Sequence, residues 1–456
     1  MLSLIRWPKV EALRAKLNGK AKAQPEFRFY TLYDKVCRKD VLEAAYAQCR
    51  ANDGAPGVDG QTFRDVEAQG VGRYLEELAT ELRERRYRPA AVRRVMIPKE
   101  HQPGKFRPLG IPTIRDRVVQ QAVKLLLEPI FEADFTDQAY GYRAGRSAQD
   151  AIRDVDASLR ARHVHVVDGD LSKYFDTIPH EALLKSVERR IADRKVVWLI
   201  RHWLKAPVQE TTASGQTVYS GGQATKAGTP QGGVISPLLA NLYFRRFLVA
   251  WRKFGYEQQY GARIVNYADD FVILCRGSAA GAYARARDLL TRLGLTLNVT
   301  KTRVVRAWQT SFDFLGYTFG VVHSRNGRES LGKRPSQKSV QRYRDRVRQL
   351  TDRRQTGKRA EDVAQALNEL TQGFWGYFHL GATNHVRHVM DQYLRKRMFI
   401  WARRKHAPSR RKRNRASGQA SRWQRIREAL SGVKLSTDLP PWRGGELFAG
   451  AASYAQ

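Results

Sequence analysis

The sequence predicts an α+β fold followed by a helical C-terminal part, on three observations. Short β-forming runs recur as isolated strands and hairpins, most clearly over residues 264–274, where two apolar runs flank the tight polar centre of Tyr267-Ala268-Asp269-Asp270. Amphipathic helices stand between them, such as 116–131, with Val119, Ala122, Val123, Leu126, Leu127 and Ile130 on one face. Beyond Gly332 the strand pattern stops. Val340, Tyr343, Val347 and Leu350 then recur at helical spacing beside many arginines, so a domain boundary is expected near residue 330.

The first fifty residues read as basic helical segments, with 41–46 the clearest. Gly54 to Gly60 is a turn-rich loop, and another helix follows through 74–78. Residues 93–112 are extended about a turn at Pro103-Gly104, a hairpin carrying Lys99, Lys105 and Arg107. Cations on such a hairpin either clamp a triphosphate or are simply solvated. Ser147 to Asp150 has the form of a capping box. Arg143 and Arg146 just before it either meet a phosphate at that helix N-terminus or are surface charges. Residues 163–170 form a β-branched strand ending in Asp168 and Asp170. His163 and His165 read as strand residues, not metal ligands. Asp176 or Thr177 is expected to cap a helix opening at Pro179.

Gly228 to Gly233 is a glycine-rich loop before a helix with Ser236 as N-cap and Pro237 at its first position. It either lets backbone approach a base or phosphate, or is an ordinary loop. After the Tyr267 hairpin, 280–293 reads as a helix, and 295–303 and 312–317 as strand-like. The two carboxylates at the hairpin tip repel unless a cation joins them or water screens them. Mg²⁺ suits one or two carboxylates plus substrate phosphates.

The chain has 456 residues, with Lys+Arg 81 against Asp+Glu 44, a formal charge of +37. That excess points to a polyanion, nucleic acid above all, and not to a membrane, since the charges do not gather on one amphipathic helix. Cys37, Cys49 and Cys275 give neither a disulfide framework nor zinc spacing, so a reducing compartment is expected. No signal peptide and no membrane span of about 18 residues is visible, and a cytoplasmic protein is expected. The run from Arg403 to Arg427 is basic with almost no acids, as a segment tracking a phosphate backbone would be.

Taken in order, these blocks resemble the motifs of bacterial group II intron-encoded reverse transcriptases. The resemblance is carried by Gly57 to Gly60, Arg107 to Pro112, Tyr142 to Ser147, Asp170 to Asp176, Gly228 to Gly233 with Ser236-Pro237, and Tyr267 to Asp270. Leu295 to Asn298 with Lys301-Thr302, and Phe314 to Tyr317, continue the series. Gly373 to Phe378 is similar to the maturase-specific segment that also serves as thumb. The resemblance implies a right-hand polymerase: an N-terminal extension and start of the fingers in 1–90, fingers and palm in 91–330, a helical thumb and maturase domain in 331–405, and a basic nucleic-acid-binding tail in 406–456.

It implies catalysis by Asp170, Asp269 and Asp270, which would hold two Mg²⁺ ions. Lys105 and Arg107 would grip the deoxynucleoside triphosphate. Phe175 would exclude a 2′-hydroxyl, Gln231 and Gly232 would lie under the incoming base, and Lys301 would protonate pyrophosphate. The implied partners are group II intron RNA, an RNA template with a DNA primer, and target DNA. Many members add an endonuclease with paired cysteines, but no cysteine follows Cys275, so DNA cleavage is not expected. Two other readings are a polymerase adopted for host defence or repair, and an RNA-binding splicing factor with a relic site. The intact acids speak against the relic.

Overall fold

The computed structural model describes residues 7–98, 104, 106–212, 214–324, 326–407 and 416–436, with the side chains of 416–423 left aside. Five helices come first: α1 (Pro8–Ala23), α2 (Tyr33–Val36), α3 (Lys39–Asn52), α4 (Phe63–Gln69) and α5 (Val71–Arg83). Strands β1 (Val92–Pro98) and β2 (Phe106–Ile111), helices α6 (Ile114–Glu132) and α7 (Ala148–Arg160), and strand β3 (His165–Asp170) follow. Next are α8 (Tyr174–Thr177), α9 (His180–Glu188), α10 (Arg194–Leu204), β4 (Pro207–Thr211) and β5 (Thr217–Gly221). Then come α11 (Ser236–Lys253), α12 (Tyr256–Gln259), β6 (Ala262–Tyr267), β7 (Asp270–Cys275) and α13 (Ala279–Arg292). Strands β8 (Arg303–Arg306), β9 (Phe312–Phe314), β10 (Tyr317–His323) and β11 (Glu329–Pro335) precede α14 (Gln337–Leu350), α15 (Ala360–Tyr377), α16 (Asn384–Lys405) and α17 (Ala416–Ser431).

The strands form three sheets, in the orders β2-β1-β4-β5, β6-β7-β3-β8 and β11-β10-β9. The second is antiparallel throughout and is the centre of the molecule. Its two faces are buried by different partners, because side chains alternate along each strand. Val167, Ile264, Phe271, Ile273 and Cys275 enter one core with α6, α11 and α13. Val166, Val265, Val272 and Leu274 enter a second core with α7, the third sheet and the C-terminal helices. Gly169 stands opposite Phe271 across β3 and β7, and a Cβ there would lie 2.5 Å from the Phe271 ring. The aromatic fills the space that a side chain at 169 would occupy.

The third sheet ties the C-terminal helices down. Leu315 and Gly316, both at positive φ, make the two-residue turn between β9 and β10. The Tyr317 hydroxyl donates to the Tyr377 carbonyl at 2.8 Å, and the Tyr377 hydroxyl donates back to the Leu315 carbonyl at 3.0 Å. Phe374, Trp375, Tyr377 and Phe378 are all buried there.

Several sequence expectations are corrected. Helix α9 is capped by Pro179 without a side-chain bond, and Thr177 bonds back to Lys173 and Tyr174 instead. Ile235, not Ser236, is the N-cap of α11. Residues 295–302 make one isolated bridge at Leu297 and a turn, and the strand starts only at Arg303. Arg143 is neither a phosphate ligand nor a surface charge. It is buried and donates to Glu132, Thr136 and Ala139. Strand β11 crosses residue 330, so the helical part begins at α14. Among the described residues no helix is long and apolar enough to cross a membrane.

Gly169→Ala is expected to lower the midpoint of urea unfolding, at a cost of about 1–3 kcal/mol for overpacking. An unchanged midpoint would mean that Phe271 moves aside freely.

Candidate active site

Two carboxylates face each other across the central sheet. Asp170 ends β3, Asp270 begins β7, and the two are register partners. Directly opposed residues on an antiparallel pair bring their Cβ atoms to about 5 Å. Asp269 sits in the two-residue turn between β6 and β7, so all three acids share one end of the sheet. Burial first, then Asp269 and Asp170, push the Asp270 carboxyl up to about 7. Asp269 is raised as well, chiefly by burial and then by Asp170. Asp168, two residues before Asp170, is raised by burial against the pull of Arg303, which donates to it at 3.0 Å.

The turn that carries Asp269 is held from two sides. Ala268 has φ +59, a position that a two-residue turn of this type usually gives to glycine. Asn266, 1% exposed, donates from Nδ2 to the Ala268 carbonyl at 2.9 Å and to the Asp270 carbonyl at 3.3 Å. Gly141 closes the other side, since a Cβ there would lie 2.5 Å from the Ala268 nitrogen. Sequence reasoning passed over Asn266 and Gly141. The signal was an asparagine within an otherwise apolar strand, which must satisfy its amide somewhere when buried.

The glycine-rich loop docks beside this end. Gly110 donates to the Gln231 carbonyl at 2.5 Å, and a Cβ on Gly232, at φ +105, would lie 2.3 Å from the Gly110 carbonyl oxygen. Thr229 donates from its amide to the Phe175 carbonyl at 2.7 Å. The loop therefore links β2, which carries the exposed Arg107 three residues before Gly110, to α8, which bears the half-buried Phe175. Gln231 and Gly232 thus lie against β2, and Thr229 of the same loop lies against Phe175. Lys99 and Lys105 lie outside the described residues, as do Arg410 to Arg415 of the basic run.

Lys301 stands at the acids themselves. Its Nζ donates to Asp170 at 3.0 and 3.2 Å, and the Asn298 amide donates to the Asp170 carbonyl at 2.8 Å. Among the described residues no three His, Cys, Asp or Glu side chains form a ready coordination set. The donor chemistry still fits a hard divalent cation. All three groups are carboxylates, and the charge that raises Asp269 and Asp270 is what such a cation relieves.

Residues 97–319 match the family model for reverse transcriptase (RNA-dependent DNA polymerase), and residues 340–418 match the group II intron maturase-specific domain. The chain is 34% identical over 355 residues to Protein YkfC of Escherichia coli strain K12, covering 70% of this chain and 90% of that protein. It is 36% identical over 216 residues to the group II intron-encoded protein LtrA of Lactococcus lactis, covering 47% of this chain but only 34% of LtrA. A Candida albicans telomerase structure aligns at TM-score 0.41 and 12% identity, over 76% of this chain and 64% of that one, a likeness too slight to bear on the fold.

A carboxyl raised on folding stabilises the fold fully only below its unfolded value. That contribution is lost as pH rises toward about 7, because the folded chain then keeps a proton that the unfolded chain has released. In chelator-treated protein, Asp270→Asn should therefore stabilise at pH 8 by roughly 2–4 kcal/mol, with the difference from wild type closing near pH 4. Urea unfolding at the two pH values checks this, and an equal difference at both would remove the charge explanation.

Proposed function

The chain belongs to the reverse transcriptases of group II introns that carry a maturase domain, and from that membership we propose how its residues divide the work. It is an RNA-directed DNA polymerase, and the polymerising site is the cluster of Asp170, Asp269 and Asp270. The observation that carries this reading is the β3–β7 register, which opposes Asp170 to Asp270 beside the Asp269 turn.

These acids would hold two Mg²⁺ ions, which when bound supply Lewis-acid activation of a primer 3′-hydroxyl and neutralise charge on the departing pyrophosphate. The protein's own contribution is positioning. Lys105 and Arg107 would grip the triphosphate of the incoming deoxynucleotide, and Arg107 suits a bidentate fork. Gln231 and Gly232 would lie under its base, where the bare Gly232 lets backbone come close. Phe175 would stand where a 2′-hydroxyl projects. Its backbone carbonyl is tied to the Thr229 amide, which supports a stiff gate. Lys301 would serve as proton donor to pyrophosphate only if its 3.0 Å pair with Asp170 opens.

The maturase half of the proposal is that intron RNA binds the helical part. Support comes from the maturase-domain match and from a mount that buries Phe374, Trp375, Tyr377 and Phe378, leaving charged helix faces to meet phosphate. Target DNA would meet the same basic surface during insertion of the intron copy.

On an RNA template with a DNA primer, Mg²⁺ and deoxynucleotides, wild-type protein should extend the primer. Asp170→Asn or Asp269→Asn should cut the rate on the order of 10²–10³-fold, as expected for loss of one electrostatic stabiliser at a reaction centre. Undiminished extension by Asp269→Asn would remove these acids from the chemistry. Phe175→Ala should let ribonucleotides in, and unchanged sugar discrimination would refute the gate. For the maturase half, the measurement is splicing of the cognate intron. No acceleration by the protein at moderate salt would sink it.

A further inference from the structure

The root of the glycine-rich loop is tied to the segment that carries Phe175. The Thr229 amide donates to the Phe175 carbonyl at 2.7 Å, the Gly228 amide to the Ile178 carbonyl at 2.9 Å, and the His180 amide to the Lys226 carbonyl at 2.9 Å. Pro179 and Ala227 make an antiparallel bridge between the same two segments. These are backbone groups, whose bonds do not depend on residue type. A side chain then joins them: His180 Nε2 lies 2.7 Å from the Gly228 carbonyl oxygen. A carbonyl only accepts, so the bond places a proton on Nε2.

His180 opens α9 and is 2% exposed, on the helix face that also buries Leu183, Leu184 and Val187. Burial lowers its pKa from the ordinary histidine value, so the ring is a neutral donor. Packing alone would be served by leucine there; the hydrogen bond is what asks for histidine.

What that bond holds is one peptide unit. The Gly228 carbonyl and the Thr229 amide share a plane that turns as a body. The plane is gripped at both edges, by His180 at its oxygen and by the Phe175 carbonyl at its nitrogen. Gly228 stands at φ +101, where glycine is free to pivot, and a Cβ there would lie 3.1 Å from the Asp176 carbonyl oxygen. Such a pivot needs an outside hold. Beyond it the loop runs only three residues to Gln231, whose carbonyl accepts from Gly110 of β2. The orientation of this plane therefore bears on Phe175 and on the loop tip together.

We infer that His180 is a positioning residue for deoxynucleotide selection: by holding the Gly228–Thr229 peptide it sets Phe175 at the sugar and the Gln231–Gly232 tip under the base. This rests on the polymerase reading above and on its placement of Phe175.

The test is primer extension on an RNA template by the full chain, with deoxy- and ribonucleotides compared. His180→Leu keeps apolar bulk and removes the donor; His180→Gln keeps a neutral donor. His180→Leu should raise the KM for deoxynucleotide about tenfold and lower sugar discrimination about tenfold, the upper range for one hydrogen bond, with kcat within about threefold. His180→Gln should stay within about twofold of wild type on both measures. Because His180 acts through Phe175, the double variant with Phe175→Ala should discriminate no worse than Phe175→Ala alone. His180→Leu within twofold of wild type would overturn the inference. So would His180→Gln as defective as His180→Leu, which would make the ring a packing group, or a double variant that loses the further tenfold. If Phe175→Ala leaves sugar choice unchanged, the gate reading falls; if it loosens sugar choice and His180→Leu does not, only the positioning role falls.

Discussion

Repulsion among clustered carboxylates is the constraint around which this molecule is built. Asp170 and Asp270 are opposed by strand register, Asp269 adjoins them, and Asp168 lies two residues back on the same face. In low dielectric such a group holds together only if its backbone cannot relax and its charge is answered. The backbone is held by ladder bonds, by the Asn266 amide under the turn and by Gly141 against it. The charge is answered by Lys301 at Asp170 and Arg303 at Asp168, both delivered by the segment around the start of β8. The site is thus a strained, electrostatically loaded end of a sheet, the kind of place where polymerisation chemistry would be performed.

The rest of the same sheet explains why that end stays fixed. Its acid-bearing face turns apolar within one or two residues, and Val166, Val265, Val272 and Leu274 are covered by the second core. The C-terminal helices are bolted onto that core through the reciprocal Tyr317 and Tyr377 bonds. One face of one sheet therefore carries both the acids and the mount for the helical part. The aromatic segment 373–378, which by resemblance marks the maturase region, is in physical terms the packing surface of that mount.

Much of this was legible in local pattern. The capping box at Ser147 forms with both of its bonds, and Ala268 and Asp269 make the tight turn that the polar centre between two apolar runs implied. Helices 116–131 and 280–293 appear as α6 and α13 within two residues at each end. The failures share one cause. Arg143 read as either a phosphate contact or a surface charge because its partners Glu132, Thr136 and Ala139 approach it through a folded loop. The stretch 295–302 looked like a strand because its alternation is genuine, yet only Leu297 finds a bridge, and the chain there turns to bring Lys301 to Asp170.

By itself the sequence determined which residue types stand in which order: acids at a strand end and a turn, glycines where loops must run tight, and a charge excess suited to nucleic acid. These depend on period, turn chemistry and composition, which act over a few residues. Tertiary structure alone decided that Asp170 meets Asp270, 100 positions away, that Lys301 answers it, and that Gly141 braces Ala268. Register and long-range contact are set by how whole faces bury against one another, and a side chain's charge partner follows from that burial.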